Sequence, residues 1–312
     1  MLIGTEALEY LESAIGAEEQ SRSAFWQAEM DSFAINAKGE FKGDALLGNM
    51  GGRDRLRSAL HQILQTPIRR MGRPFGTFRD CLGIAQRVAL RQKRLFTLDV
   101  LRQALSLALI REHVSPSAAD ALVVIGDGFG VMTALLRAAF PSNTVVVCNL
   151  IKPLLVDLTF ARKAEPDLAV ALPRDAAEMR DTFAGGNGGV IGVRADDASL
   201  LLEVPIGLAV NILSMQEMTY PVIERYFDCL RRNPAPRTMF YCANRFAKEW
   251  HDKTVVRFDR YPWREADRII VDGVCEWSQL VYRKSPPFWL RRGRGEDKIV
   301  VHRLAALEKL AA

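Results

Sequence analysis

The chain has 312 residues, 49% hydrophobic and 25% charged, with a net charge of +5; this is an ordinary globular composition, long enough for one large domain or a main domain with an accessory one. Asp99, Arg102 and Gln103 interrupt the longest apolar run and the opening Met-Leu-Ile-Gly-Thr-Glu has no basic region before an apolar core, so neither a membrane span nor a secretory signal is expected. Five scattered cysteines without a Cys-x-x-Cys pair fit free thiols in a reducing cytoplasm, and four distant histidines (His61, His113, His251, His302) give no metal ligand set.

Residues 1–24 place Leu8, Leu11 and Ile15 at helical spacing among Glu6, Glu9, Glu12, Glu18 and Glu19, which predicts one or two amphipathic helices. Phe25, Trp26 and Phe33 are expected to pack. Residues 35–53 carry Gly39, Gly43, Gly48, Gly51 and Gly52 and read as loop. Helical periodicity returns over 55–65 through Leu56, Leu60, Ile63 and Leu64, and Pro67 is expected to end it. Residues 69–76 then read as a basic, turn-rich linker. Eleven Lys or Arg residues lie between 53 and 94, against Asp54 and Asp80; they form either a site for an anionic partner or a solvated face. Helices are predicted over 79–94 and 97–113, the second capped by Thr97. Ser115-Pro116-Ser117 marks a boundary near 114, so residues 1–113 form a helical region, a substrate cover or oligomerisation element, ahead of a second domain over 114–312.

The rhythm changes at Ala121-Leu122-Val123-Val124-Ile125, an apolar run leading into Gly126-Asp127-Gly128-Phe129-Gly130 and a helix over 131–140. Further strands are predicted at 144–148, 189–193, 207–213 and 238–242, with a shorter one within 168–172 and helices over 175–183 and 220–232. Alternation of this kind implies a Rossmann-like α/β fold, a doubly wound and mostly parallel sheet. Residues 185–189 read as a flexible glycine loop. Residues 299–302 are expected to be a last edge strand in a tail of short strand-like runs.

A buried strand, a glycine turn and a helix start make a nucleotide-sized site. The spacing Gly126-x-Gly128-x-Gly130 places Val131 where a dinucleotide fingerprint needs its third glycine, and no Gly-Lys-Ser/Thr follows for a triphosphate loop. The spacing resembles instead the S-adenosyl-L-methionine (SAM) loop of class I methyltransferases. Asn149, at the end of the second strand, stands where ribose hydroxyls are met. Asp197-Ala198 after the strand at 189–193 resembles the segment that frames the adenine, although Asp197 also suits a helix cap. Asn211-x-x-Ser214-Met215-Gln216-Glu217-Met218, with Asn244-Arg245 ending a later strand, resembles a family of sugar O-methyltransferases found with polysaccharide-synthesis genes. The resemblance covers roughly residues 121–245.

That resemblance implies a cytoplasmic SAM-dependent enzyme that methylates a hydroxyl of a sugar or glycan precursor, an acceptor that an arginine would meet if it is anionic. Glu217 is the candidate general base and His251 a second one; Glu217 would equally suit the dipole of the helix that follows. Gln216, Asn211 and Asn244 are candidates for holding sugar hydroxyls, together with Ser214. Arg245 is the candidate for an anionic group on the acceptor. Gly126, Asp127, Gly128, Gly130, Asn149, Asp197, Ala198 and Asn211 form the candidate cofactor set. Val124 and Asn149 replace acidic residues usual in such families, and Asp127 is an addition. Two alternatives stay open: an NAD-dependent oxidoreductase on a similar sheet, and a non-catalytic binding protein on a degenerate methyltransferase fold. Nucleic acid is not the expected partner, and a homo-oligomer is allowed.

Overall fold

The computed structural model describes residues 1–43, 62–186, 189–282, 290–293 and 295–310. Most of the expected glycine loop over 35–53, most of the expected helix over 55–65, His61 and the centre of the loop at 185–189 lie outside the described residues.

A nine-stranded sheet organises the chain. In chain order its strands are β1 (Leu2–Ile3), β2 (Ala121–Ile125), β3 (Val145–Asn149), β4 (Val170–Leu172), β5 (Val190–Arg194), β6 (Ile206–Ile212), β7 (Thr238–Arg245), β8 (Arg268–Val274) and β9 (Val300–Leu307). They lie side by side as β1-β4-β5-β3-β2-β6-β7-β9-β8. The run from β4 to β7 is parallel, and the two edges are completed by antiparallel pairs. This is the doubly wound, mostly parallel α/β sheet that the alternation of elements implies. Strand order reverses at β2, with β3 on one side and β6 on the other. A crevice therefore opens past the carboxyl ends of these three strands, the usual ligand position in such sheets.

The central strands read as continuous apolar runs because helices cover both faces. Nine helices frame the sheet among the described residues: α1 (Thr5–Ser13), α2 (Ala24–Glu29), α3 (Thr66–Met71), α4 (Phe78–Arg91), α5 (Leu98–His113), α6 (Val131–Ala139), α7 (Ile151–Ala164), α8 (Ala176–Gly185) and α9 (Tyr220–Arg232). Leu122, Val124, Val145 and Val147 face a core shared with α1 and α4 to α7. Ala121, Val123, Ile125, Val146 and Cys148 face the other core, built on α9 and Met179 of α8. This is the two-residue alternation of a strand. Helices before residue 114 thus share one core with helices after it. Thr97 caps α5 by accepting from the Val100 amide at 3.4 Å, and Asp175 caps α8 by accepting from the Glu178 amide at 2.9 Å.

Four local expectations are corrected. Residues 1–24 are not helical throughout: Leu2–Ile3 pair with β4 as an edge strand, and only α1 is a helix before residue 24. The region read as loop from residue 35 begins inside a hairpin, Phe33–Ile35 with Phe41–Gly43. Residues 69–76 are not linker throughout: the helical residues 62–64 stop before Pro67 as expected, but Pro67 then lies in the first turn of α3, where its missing N–H is no loss, and Arg69 and Arg70 are helical. The last strand is not an edge: β9 runs from Val300 to Leu307 between β7 and β8, and β8 takes the edge. No helix among the described residues is long and apolar enough to cross a membrane.

Candidate active site

The glycine turn between β2 and α6 is left-handed at each glycine, with φ of 70° at Gly126, 83° at Gly128 and 59° at Gly130. Contacts add to that demand. A Cβ on Gly126 would stand 1.9 Å from Ser214 Oγ, and one on Gly130 would stand 2.2 Å from the carbonyl oxygen of Asp157. The first glycine thus lets the loop after β6 approach, and the third lets α7 approach. Asp127 does not reach into open solvent. Its carboxylate accepts from the amides of Met132 at 3.0 Å and Thr133 at 2.7 Å, satisfying orphan donors at the start of α6.

A second carboxylate lies beneath. Asp157 is fully buried, accepting from the Gly130 amide at 3.2 Å and from Asn149 Nδ2 at 2.8 Å. Burial, then the charge of Asp127, raise the Asp157 carboxyl well above its ordinary range; Asp127 itself is raised by burial. Gln92, between α4 and α5, donates to the carbonyls of Gly130 at 3.4 Å and Phe160 at 3.1 Å. Arg94 stacks on Phe129 at 4.3 Å, and burial pulls its guanidinium down to about 10. The glycine loop is thereby braced from the N-terminal region, and no local motif announces Gln92, Arg94 or Asp157.

A cleft of ≈ 230 Å³ opens above the turn. Of the residues singled out from sequence, Gly126, Asp127, Gly128, Asn149, Ser214 and Glu217 line it together. Gly130 lies under it, against α7. Asn211, Asn244 and Gln216 do not line it; they lock the loop after β6 from inside. Asn211 donates to the Ile125 carbonyl at 2.7 Å and accepts from Asn244 Nδ2 at 2.7 Å and the Met215 amide at 3.2 Å. Asn244 accepts from the Gln216 amide at 3.2 Å, and Gln216 Oε1 accepts from the Arg245 amide at 2.9 Å. With Leu213 at φ 58°, this network sets the turn that carries Ser214 and Glu217. Burial pushes the Glu217 carboxyl up to about 7, against the opposing pull of Lys248, Gln216 and Arg245.

The remaining candidates stand apart from the cleft. Asp197 pairs with Arg194 at 2.5 Å, and Ala198 is buried with its carbonyl accepting from Cys229 Sγ at 3.4 Å. His251 is exposed in a turn, bonded to Glu29 at 3.1 Å and stacked on Phe25 at 6.1 Å. Arg245 does not line the cleft; its amide belongs to the network behind it and its charge acts on Glu217. Among the described residues no cluster of His, Cys, Asp or Glu has a metal-holding arrangement.

Two walls come from residues that sequence reasoning passed over or gave to packing. Phe25, Trp26 and Phe33 form an aromatic wall. The segment carrying it is tied across the strand ends: Glu19 accepts from the Ile151 amide at 2.7 Å, Asp196 accepts from the amides of Gln20 at 2.9 Å and Ser21 at 2.7 Å, and Ser23 Oγ donates to the Glu217 carbonyl at 2.6 Å. The second wall is the face of α5 that carries Asp99, Arg102, Gln103 and Ser106, joined by Ser278. The signal was present in the sequence. These polar residues fall at i, i+3, i+4 and i+7 on a helix whose other residues as far as Ile110 are apolar and buried.

No protein-family model and no curated protein matches the chain. Solved structures do. Geranyl diphosphate C-methyltransferase from Streptomyces coelicolor A3(2), solved with S-adenosyl-L-homocysteine, is 11% identical, with 68% of this chain and 81% of that chain covered and a TM-score of 0.37. The 16S rRNA (adenine(1408)-N(1))-methyltransferase from Catenulisporales acidiphilia is 14% identical, with 66% and 94% covered and a TM-score of 0.33. The arsenic(III) SAM methyltransferase from Chlamydomonas reinhardtii is 11% identical, with 63% and 66% covered and a TM-score of 0.34. Overlap this partial, with proteins of such varied substrates, carries no activity to the present chain.

Proposed function

We propose that this chain is a SAM-dependent O-methyltransferase acting on a hydroxyl of a sugar or glycan precursor, with Glu217 as general base. The observation that carries the reading is Glu217 itself: a cleft-lining carboxylate, pushed up to about 7, that shares its cleft with the glycine turn. A base tuned near neutrality is what deprotonation of a weakly acidic hydroxyl requires.

The cleft fits the cofactor chemically. Gly126 and Gly128 leave backbone bare where the methionine part approaches, in a cradle that a Cβ at Gly126 would disturb. Asn149, held by Asp157, is the residue expected to meet the ribose hydroxyls. When bound, SAM supplies a methyl group already activated on sulfur, so the protein need only align an oxygen nucleophile and manage its proton. Glu217 takes that proton on its carboxylate. Ser214 and the buried Asn211–Asn244–Gln216 network keep the carboxylate in place, and the aromatic wall of Phe25 and Trp26 excludes water. In this reading residues 1–113 are a substrate cover and residues 114–312 hold the cofactor.

Calorimetric titration with SAM and with NAD tests the proposal. Micromolar SAM binding without NAD binding supports it; NAD binding in place of SAM, or binding of neither, refutes it.

A further inference from the structure

The acceptor half of the cleft has a polarity of its own. Its α5 wall carries Asp99, Arg102, Gln103 and Ser106 on one face. Three of these side chains are spoken for. Arg102 donates to Asp99 at 2.6 Å, to the Trp277 carbonyl at 3.3 Å and to the Leu280 carbonyl. Ser106 Oγ shares a hydrogen with the Tyr241 hydroxyl at 3.1 Å and accepts from Trp277 Nε1 at 3.3 Å. Gln103 differs. Its carboxamide oxygen is shielded from solvent and has no partner, and among the described residues no other cleft-lining side chain has such an atom. A shielded acceptor left unmade is costly, and a ligand hydroxyl would satisfy it.

Charge narrows the ligand further. Among the described residues the ionisable groups lining the cleft are Asp99, Arg102, Asp127 and Glu217, three carboxylates and one guanidinium. Among the described residues that guanidinium is the one lining cation, and it is already held by Asp99 and two carbonyls; Lys248 and Arg245 act on Glu217 from outside the lining. A carboxylate or phosphate on the acceptor would share the cleft with Asp127 and Glu217, and with the more exposed Asp99 at its α5 wall. The aromatic wall of Trp26 and Phe33 offers instead a flat apolar surface for the C–H face of a ring.

We propose that α5 is the acceptor-reading wall, that Gln103 is its specificity-determining residue, and that the acceptor is an uncharged hydroxylated ring whose hydroxyl donates to Gln103 Oε1. The proposal rests on the methyltransferase reading above and names the acceptor class of that same site. It runs against the expectation of an arginine clamp on an anionic sugar.

The test is saturation-transfer NMR on the full chain saturated with S-adenosyl-L-homocysteine. The probes are methyl hexopyranosides, the matching hexuronates and the matching hexose 6-phosphates. Neutral glycosides are expected to bind, and the charged probes about tenfold more weakly or not at all. Gln103→Leu is expected to weaken glycoside binding about fivefold, the scale of one neutral hydrogen bond, while the calorimetric affinity for SAM stays unchanged. The thermal midpoint of that variant should hold or rise, since an unpaired oxygen has been removed; a purely structural role for Gln103 would lower it instead. Charged probes binding as well as neutral ones, no probe binding at all, or unchanged glycoside binding in Gln103→Leu overturns the proposal. Failure of the methyltransferase reading looks different: the wild-type chain then binds no SAM, whatever the glycosides do.

Discussion

Glu217→Gln is the sharpest perturbation, because one carboxyl ties pH-dependent stability to activity. Its pKa is raised from 4.5 to about 7 by burial. At 1.36 kcal/mol per unit this shift corresponds to about 3 kcal/mol. The sign follows from proton counting. Between pH 4.5 and 7 the folded chain holds this proton while the unfolded chain has lost it, so the residue's contribution to stability falls as pH rises through that window. Glutamine carries no such burden. Urea unfolding of wild type and variant at pH 5 and pH 8 should therefore give a stability difference that moves in the variant's favour by up to about 3 kcal/mol at the higher pH. Methyl transfer by the wild type should rise with pH through about 7 as the carboxylate forms. The variant should lose roughly 10²- to 10⁴-fold in kcat and that pH dependence with it, at unchanged SAM affinity. Equal stability differences at both pH values would refute the raised pKa, and full turnover in the variant would refute the base.

Gly130→Ala should cost more than Gly126→Ala, since the new Cβ meets the Asp157 carbonyl at 2.2 Å in the first case and the side chain of Ser214 at 1.9 Å in the second. We expect Gly130→Ala to lower thermal stability by about 3 kcal/mol or more, and Gly126→Ala to lose SAM binding in calorimetry at a smaller stability cost. Arg231 and Asp267 form a buried pair, with contacts of 2.7 and 2.8 Å, between α9 and the segment before β8. Arg231→Met should cost about 3–5 kcal/mol in urea unfolding, with part of the loss recovered in the double variant Arg231→Met/Asp267→Leu. Asp196→Asn should release the segment bearing Gln20 and Ser21, seen as faster amide hydrogen exchange over residues 19–26 with unchanged exchange in β2 and β3.

What could be read from the sequence follows from how local each feature is. The turn at Gly126–Gly130 is a strand, a loop and a helix in succession, and its backbone demands are written in three glycines. The same holds for Thr97 as a cap, three residues from the amide it satisfies. β1 was invisible because two residues have no period and their partner strand lies far along the chain, at Ala171 and Leu172. Asn211 and Asn244 show the opposite difficulty. Their amide chemistry was legible, but not that the Ile125 carbonyl and each other consume it.

The cleft divides along the same line. Its cofactor side is a βα turn and is therefore local. Its acceptor side joins Phe25, Trp26 and Phe33 to α5 and to Ser278, segments that meet only through the tertiary fold. Asp99, Arg102 and Gln103 entered the sequence reading only as interruptions of an apolar run. On a helix whose other residues as far as Ile110 are apolar and buried, a polar stripe at i, i+3, i+4 and i+7 has to face something other than core, because unpaired polar groups buried against apolar surface cost free energy. Arg102 and Ser106 resolve that demand within the protein, whereas the Gln103 oxygen does not. The polar stripe of a buried helix is thus a sequence-level sign of a cleft, and the member left without an internal partner is the one that a ligand must satisfy.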